Sequence, residues 1–207
     1  MKFCHFKYSI VLAACISGLS VISCGSTPKV AGSDVSPVYV TNSKKYYLIE
    51  PSKIEKEIDS YLALKGKFGV NEFTCLSMLQ MNDKGVYLCL LSDFGTTLGE
   101  LSYDGKKVDL ECALLPKRMK GEYIVADLQF AFYRLDEISK TLSKIGLSVN
   151  ATMDFATADN LSVKEVRSIM KGNKCIERIT KTDKYVLIEN LLRGYSYELV
   201  NADEAGV

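Results

Sequence analysis

The sequence has no tryptophan and a single histidine, His5. Serine triads, Cys–His nucleophile pairs, His-ligated zinc and the HExxH arrangement all need an imidazole as base or ligand. His5 lies in a segment read below as cleaved, so the mature chain has none of these chemistries open to it. A basic excess is also missing: 26 Lys+Arg stand against 25 Asp+Glu, for a formal net charge of +1. That removes the electrostatic footprint expected of a nucleic-acid binder. No CxxC pair occurs, and Lys65-Gly66-Lys67-Phe68-Gly69 has glycines without a phosphate-loop pattern. The expectation is therefore no metal, no cofactor and no catalytic residues. What is present is 47% apolar residues with only 4 prolines, the composition of a folded chain.

Residues 1–23 read as an export signal. Lys2 and Lys7 supply the positive start, and Ser9 to Ile22 is uncharged and largely apolar. That stretch falls short of the roughly 20 apolar residues of a spanning helix. It closes in Val21-Ile22-Ser23-Cys24-Gly25, which resembles a bacterial lipobox. The resemblance implies cleavage before Cys24, lipidation of its sulfur and acylation of the new amino terminus. Two or three chains buried at about 0.8 kcal/mol per CH2 hold a domain on a bilayer. Gly25 and Ser26 lack an inner-membrane retention aspartate, so the expected location is the periplasmic face of the outer membrane. Removing 23 of the 207 residues leaves 184, enough for one domain with a sizeable core.

Gly25 to Lys45, with Pro28 and Pro37 and few large apolar residues, reads as a tether following the acylated residue 24. The domain is expected over 46–201, with 202–207 as a tail. Tyr46–Glu50 reads as a short strand. Ser52-Lys53-Ile54-Glu55 has the form of a capping box and predicts a helix over Lys53–Leu64. Phe73–Met81 and Val86–Ser92 read as a hairpin around Asn82-Asp83-Lys84-Gly85. Thr97–Tyr103 and Lys106–Leu114 form a second one. A two-residue Asp104-Gly105 turn there would set Leu101 opposite Val108 and Gly99 opposite Leu110. Gly121–Ile145 carries an apolar stripe from Ile124 through Leu128 and Ala131 to Leu142 and Ile145, with a possible break at Tyr133-Arg134. Val125, Phe130, Phe132 and Tyr133 add apolar surface off that stripe, as in a helix enclosed by a curved sheet. Strands then resume over Leu147–Ala156, Val163–Lys171, Lys174–Lys181, Lys184–Asn190 and Tyr195–Asn201. The expected class is α+β, a curved antiparallel sheet around one or two helices.

Beyond Cys24, the cysteines of the mature chain are Cys75, Cys89, Cys112 and Cys175, each within an apolar strand. They read as buried thiols or as a disulfide set; the first hairpin's simplest register puts Cys75 and Cys89 on opposite faces. Ile124, Leu128, Phe130, Phe132 and Tyr133 are candidates for an acyl-chain pocket, with ordinary core packing as the alternative. Nothing in the sequence places two of the 25 acids in one cleft, and they read as solvated surface.

Three stretches carry a family resemblance: Leu98-Gly99-Glu100-Leu101-Ser102-Tyr103-Asp104-Gly105, Glu122 to Phe130 with its Ala126-Asp127-Leu128-Gln129 core, and Cys175 to Ile179 followed by Ile188-Glu189-Asn190 and Gly194 to Leu199. Together they resemble a family of uncharacterised Gram-negative outer-membrane lipoproteins associated with aryl-polyene and flexirubin-type gene clusters. The likeness spans about Tyr61 to Val200. The family usually has Trp-Pro where this chain has Tyr133-Arg134. Its fold is similar to the LolA/LolB lipoprotein-handling proteins, an unclosed barrel holding helices in its concavity. The resemblance implies non-catalytic binding of a lipid or acyl conjugate and help with its transport or insertion. The alternative is a structural or partner-binding lipoprotein with a filled core.

Overall fold

The structure is a computed structural model and describes residues 36–116, 119–156 and 162–201. The signal segment, Cys24, the first part of the tether and the 202–207 tail lie outside the described residues. Among the described residues no helix is long and apolar enough to cross a membrane.

A short ribbon, β1 (Val38–Tyr39) and β2 (Lys45–Tyr46), leads through a single 3-10 turn at Pro51–Lys53 into the first meander. That meander is β3 (Ile58–Phe68), β4 (Asn71–Asn82), β5 (Gly85–Leu91), β6 (Thr97–Tyr103) and β7 (Val108–Cys112). Two helices follow, α1 (Gly121–Phe132) and α2 (Leu135–Ser143). The second meander is β8 (Ser148–Ala156), β9 (Ser162–Lys171), β10 (Lys174–Thr182), β11 (Tyr185–Asn190) and β12 (Tyr195–Asn201). Pairing of β12 with β3 fuses the two into one ten-stranded antiparallel sheet, ordered β7-β6-β5-β4-β3-β12-β11-β10-β9-β8. The sheet is large, curved and not closed into a barrel. Its free edges are β7 and β8, and the helices link one edge to the other, α1 packing against β7 and α2 against β8.

Three expectations are corrected. Residues 58–68 are a strand, not the second half of a helix over Lys53–Leu64. The capping-box pattern yields only the 3-10 turn, because β3 gains a full-length ladder to β4 and a second ladder, over 62–68, to β12. Ladder pairing of eleven residues outweighs a local cap signal. Glu55, the acid of that box, instead pairs with Arg167 at 2.8 Å. The second correction is register: Leu101 faces Leu110 and Gly99 faces Cys112, two residues beyond the expected pairing. Asp104 Oδ1 accepts the N–H groups of Lys106 and Lys107, which widens the turn to four residues around a left-handed Gly105 (φ 88°). A shift of two preserves the faces, so Lys107, Asp109 and Glu111 still point to solvent. In addition, the short strand near Tyr46 is Lys45–Tyr46 rather than Tyr46–Glu50.

The helix does break at Tyr133-Arg134. Every residue of α1 from Ile124 to Ala131 is buried, so this helix is enclosed on all sides. By contrast α2 is amphipathic, burying Ile138 and Leu142. Close approach of α1 to the sheet depends on Gly121: a Cβ there would meet Val108 Cγ1 at 2.6 Å and Leu101 Cδ1 at 2.9 Å.

Candidate functional site

Enclosing α1 on all sides buries its polar residues too, and each has a partner from a different element. Asp127 and Glu177 are each 2% exposed. Asp127 Oδ2 accepts the Tyr195 hydroxyl at 2.7 Å and the Tyr197 hydroxyl at 3.2 Å. The Glu177 carboxyl lies within hydrogen-bonding reach of Asp127. Its Oε2 accepts Asn190 Nδ2 at 3.2 Å, and the same amide donates to Tyr195 Oη at 3.3 Å. Glu177 faces inward because it shares strand parity with Ile179, while a bulge at β10 turns the neighbouring Ile176 inward as well.

Two carboxyls this close and this dry cannot both be ionised. Burial pushes Asp127 up to about 7, against the downward pull of the two tyrosine hydroxyls and Glu177. Burial and the Asp127 charge hold Glu177 well above the ordinary carboxylate range. Glu177 Oε1 is buried and receives no N–H or O–H donor. That oxygen is satisfied if it carries the shared proton and donates it to Asp127, which assigns Glu177 as the acid form of the pair at neutral pH. With 2% exposure the two acids hold a proton and fix the helix; they do not meet solvent.

Two further clusters anchor the same helix. Gln129 Nε2 donates to the Ile49 carbonyl at 2.7 Å, and its Oε1 accepts the Ile49 N–H at 2.9 Å and the Tyr46 hydroxyl at 3.1 Å. The amide thus mimics a paired strand for the segment after β2, and Tyr103 adds a bond to the same carbonyl. At the other end of α1, Arg167 of β9 donates to the Phe130 carbonyl at 3.2 Å and the Tyr133 carbonyl at 2.6 Å. A buried guanidinium therefore satisfies the helix's orphan C-terminal carbonyls and its negative dipole end. Arg167 is balanced by Glu165 at 2.7 Å and Glu55 at 2.8 Å, and Glu165 also meets Lys181 at 2.5 Å. Burial favours the neutral acid at Glu165, yet the two cations outweigh it and hold its carboxyl below the usual range.

Three clefts border α1. An apolar one lies between its first half and β3–β5, lined by Leu64, Phe68, Phe73, Leu88, Leu90, Leu115, Ile124 and Tyr197. It encloses about 30 Å³, roughly one water's share of liquid volume, so a chain enters only by displacing side chains. Near-parallel rings run along its wall: Phe73 to Phe68 at 6.1 Å, Phe68 to Tyr195 at 5.3 Å, Tyr195 to Tyr197 at 6.5 Å. A second groove of about 240 Å³ at the opposite end of the strands includes Ile58, Phe132 and Tyr185. The third, of about 290 Å³, is formed by Pro116, Met119, Lys120, Tyr123, Arg193 and Tyr195. Another depression, of about 660 Å³, lies on β6–β7 and carries Glu100 and Glu111.

Of the five pocket candidates, Ile124 lines the apolar cleft and Phe132 lines the 240 Å³ groove. Leu128, Phe130 and Tyr133, at 0–1% exposure, are packed in the core. The five are not brought together in one pocket. Lipidation at Cys24 lies outside the described residues. Cys75 and Cys89 are free thiols on opposite faces of the sheet, as the hairpin register requires, and Cys112 and Cys175 are half-buried free thiols. Among the described residues no cluster of three or more His, Cys, Asp or Glu is arranged to hold a metal. Sequence reasoning did not single out Asp127, Glu177, Asn190, Tyr195, Tyr197 or Arg167. The available signal was phase: Asp127 interrupts the run Ile124-Val125-Ala126 and Leu128, while Glu165 and Arg167 fall on the same strand face as Val163 and Ile169.

An unclosed antiparallel sheet wrapped around a helix that is locked in by buried polar clusters defines the class: a half-barrel domain with helices in its concavity. The chain belongs to the family described as "Protein of unknown function (DUF3261)", which matches residues 63–202. No curated protein matches the chain. Two of the three stretches that carried the family resemblance supply the acid cluster, Asp127 from one and Glu177, Asn190, Tyr195 and Tyr197 from the other.

Proposed function

We propose that this is a lipid-anchored, non-catalytic protein of the cell envelope that holds the acyl chain of a lipid or lipid conjugate in its half-barrel. On this reading the fold is LolA/LolB-like, Cys24 tethers the domain to the periplasmic face of the outer membrane, and the domain assists transport or insertion of its ligand. The observation that carries it is the apolar cleft walled by Phe68, Phe73, Leu88, Leu90 and Ile124, where the enclosed helix meets the sheet. Its lining is apolar and aromatic, as in small apolar ligand sites, and a chain would enlarge it by displacing side chains. The proton-sharing acids fit a passive role, since they are sealed from any substrate.

A second reading has support of its own. Residues 124–131 fill the concavity completely, as in a scaffold lipoprotein whose core leaves no room for a ligand. Native mass spectrometry of the full chain, extracted gently from membranes, separates the two. A stoichiometric adduct of acyl-lipid mass, reduced in Phe73→Asp, supports the carrier. A clean apo mass after incubation with lipid extract supports the scaffold.

A further inference from the structure

The apolar cleft and the 290 Å³ groove are neighbours, with no lining residue in common. Leu115 of the cleft precedes Pro116 of the groove, Tyr123 of the groove precedes Ile124 of the cleft, and the Phe68 ring stacks on Tyr195 at 5.3 Å. A chain that opens the cleft by displacing its side chains has the groove as its neighbour at this boundary.

The side chains lining the groove carry charge of one sign, with Glu122 of the first turn of α1 outside the lining and the buried Asp127 and Glu177 acting on Arg193 from the core. Lys120 and Arg193 are the charged residues lining the groove, and neither has a carboxylate within ion-pair distance among the described residues. Arg193 is held in place: its guanidinium lies 4.5 Å over the Tyr123 ring and donates to the Tyr123 hydroxyl at 3.3 Å and to the Tyr39 carbonyl. A guanidinium positioned by stacking and neutral acceptors keeps donors free for an incoming anion, at low entropic cost. Lys120 sits at the start of α1, whose first turn has no side-chain cap and presents the positive end of the helix dipole.

We propose that this groove binds the anionic head of a single-chain amphiphile, a carboxylate or phosphate, whose alkyl chain occupies the adjoining cleft. The inference rests on the acyl-binding reading above and names its ligand class. Arg193 takes two head-group oxygens, Lys120 takes a third contact as a point charge, and Tyr195 links the head site to the buried acid pair through its bond to Asp127.

The test is competition binding at pH 8 with dodecanoate, dodecyl phosphate, neutral dodecanol and inorganic phosphate, on the full chain and on Arg193→Gln, Lys120→Gln and the double variant. The expected result is that dodecanoate and dodecyl phosphate bind the parent chain at least about tenfold tighter than dodecanol, the scale of a charge-assisted contact. The double variant loses that preference while keeping dodecanol affinity. Equal affinity for all three chains, or an unchanged preference in the variants, overturns the head-group site and leaves acyl binding standing. Competition by inorganic phosphate as strong as by dodecyl phosphate overturns the amphiphile assignment in favour of a free-anion site. Failure of every chain to bind the parent protein removes the acyl reading itself. Lys120→Gln alone decides the matter should Arg193→Gln fail to fold, because the Lys120 side chain is in none of the hydrogen-bonded clusters.

Discussion

Replacing Asp127 by asparagine should change how stability depends on pH more than it changes stability itself. Asn keeps an oxygen for the Tyr195 and Tyr197 hydroxyls and an amide that can donate to Glu177, so the packing survives. What it loses is a titrating proton. Asp127 is raised to about 7 in the folded protein, whereas an unfolded aspartate ionises near pH 4. A carboxyl raised on folding contributes stability that is fully present below its unfolded value and is lost as pH rises through its folded value. In that window the native state binds the extra proton, and each pH unit removes up to about 1.4 kcal/mol. Between pH 5 and pH 7 the parent chain should therefore lose about 2 kcal/mol that Asp127→Asn does not. Urea unfolding followed by circular dichroism at pH 5, 6, 7 and 8 measures the difference, with constant slopes as the control for two-state behaviour. Parallel stability profiles across that range would refute the reasoning, since they would mean Asp127 is already ionised at pH 5 and burial does not raise it.

Other variants probe the remaining anchors. Arg167→Met removes the cap on α1 and leaves buried Glu165 with Lys181 alone, and should cost about 3 kcal/mol by the same urea assay. Gln129→Leu leaves the Ile49 N–H without its partner and the Ile49 carbonyl with the Tyr103 hydroxyl alone; it should cost about 1–3 kcal/mol and speed amide exchange around Ile49. Gly121→Ala forces a methyl to within 2.6 Å of Val108 and should cost about 1–3 kcal/mol, read as a lowered melting temperature. Phe130→Asp should fail to fold because that ring is 0% exposed in the core, whereas Phe132→Asp, on the rim of the 240 Å³ groove, should fold and keep its ligand. Retained folding in Phe130→Asp, seen by near-ultraviolet circular dichroism, would contradict the enclosed helix.

The strands were legible because their faces differ: Thr97–Tyr103 and Tyr195–Asn201 emerge at the same bounds from alternation and turns alone. The helix break was legible from Tyr133-Arg134, at the end of the more apolar half. The strand β3 was not, because its helical signal sat in four residues before it and its strand signal depends on partners, β4 and β12, far apart in sequence. The acid pair was hidden for a similar reason. Asp127 and Glu177 lie 50 residues apart on a helix and a strand, and only the fused sheet brings them together. Composition alone counts them among surface acids, because buried carboxyls are rare in general.

The central claim is that an alkyl chain enters between α1 and the sheet, and the absence of tryptophan makes that directly readable. Leu115→Trp places a single indole on the wall of the apolar cleft, and Tyr61→Trp places one at a 63% exposed position elsewhere on the sheet. Titration with a chain-brominated fatty acid, which quenches indole on contact, compares the two. The account predicts saturable quenching at one equivalent for Leu115→Trp and none for Tyr61→Trp below the detergent-like range. Equal quenching at both positions, or none at either, would contradict it.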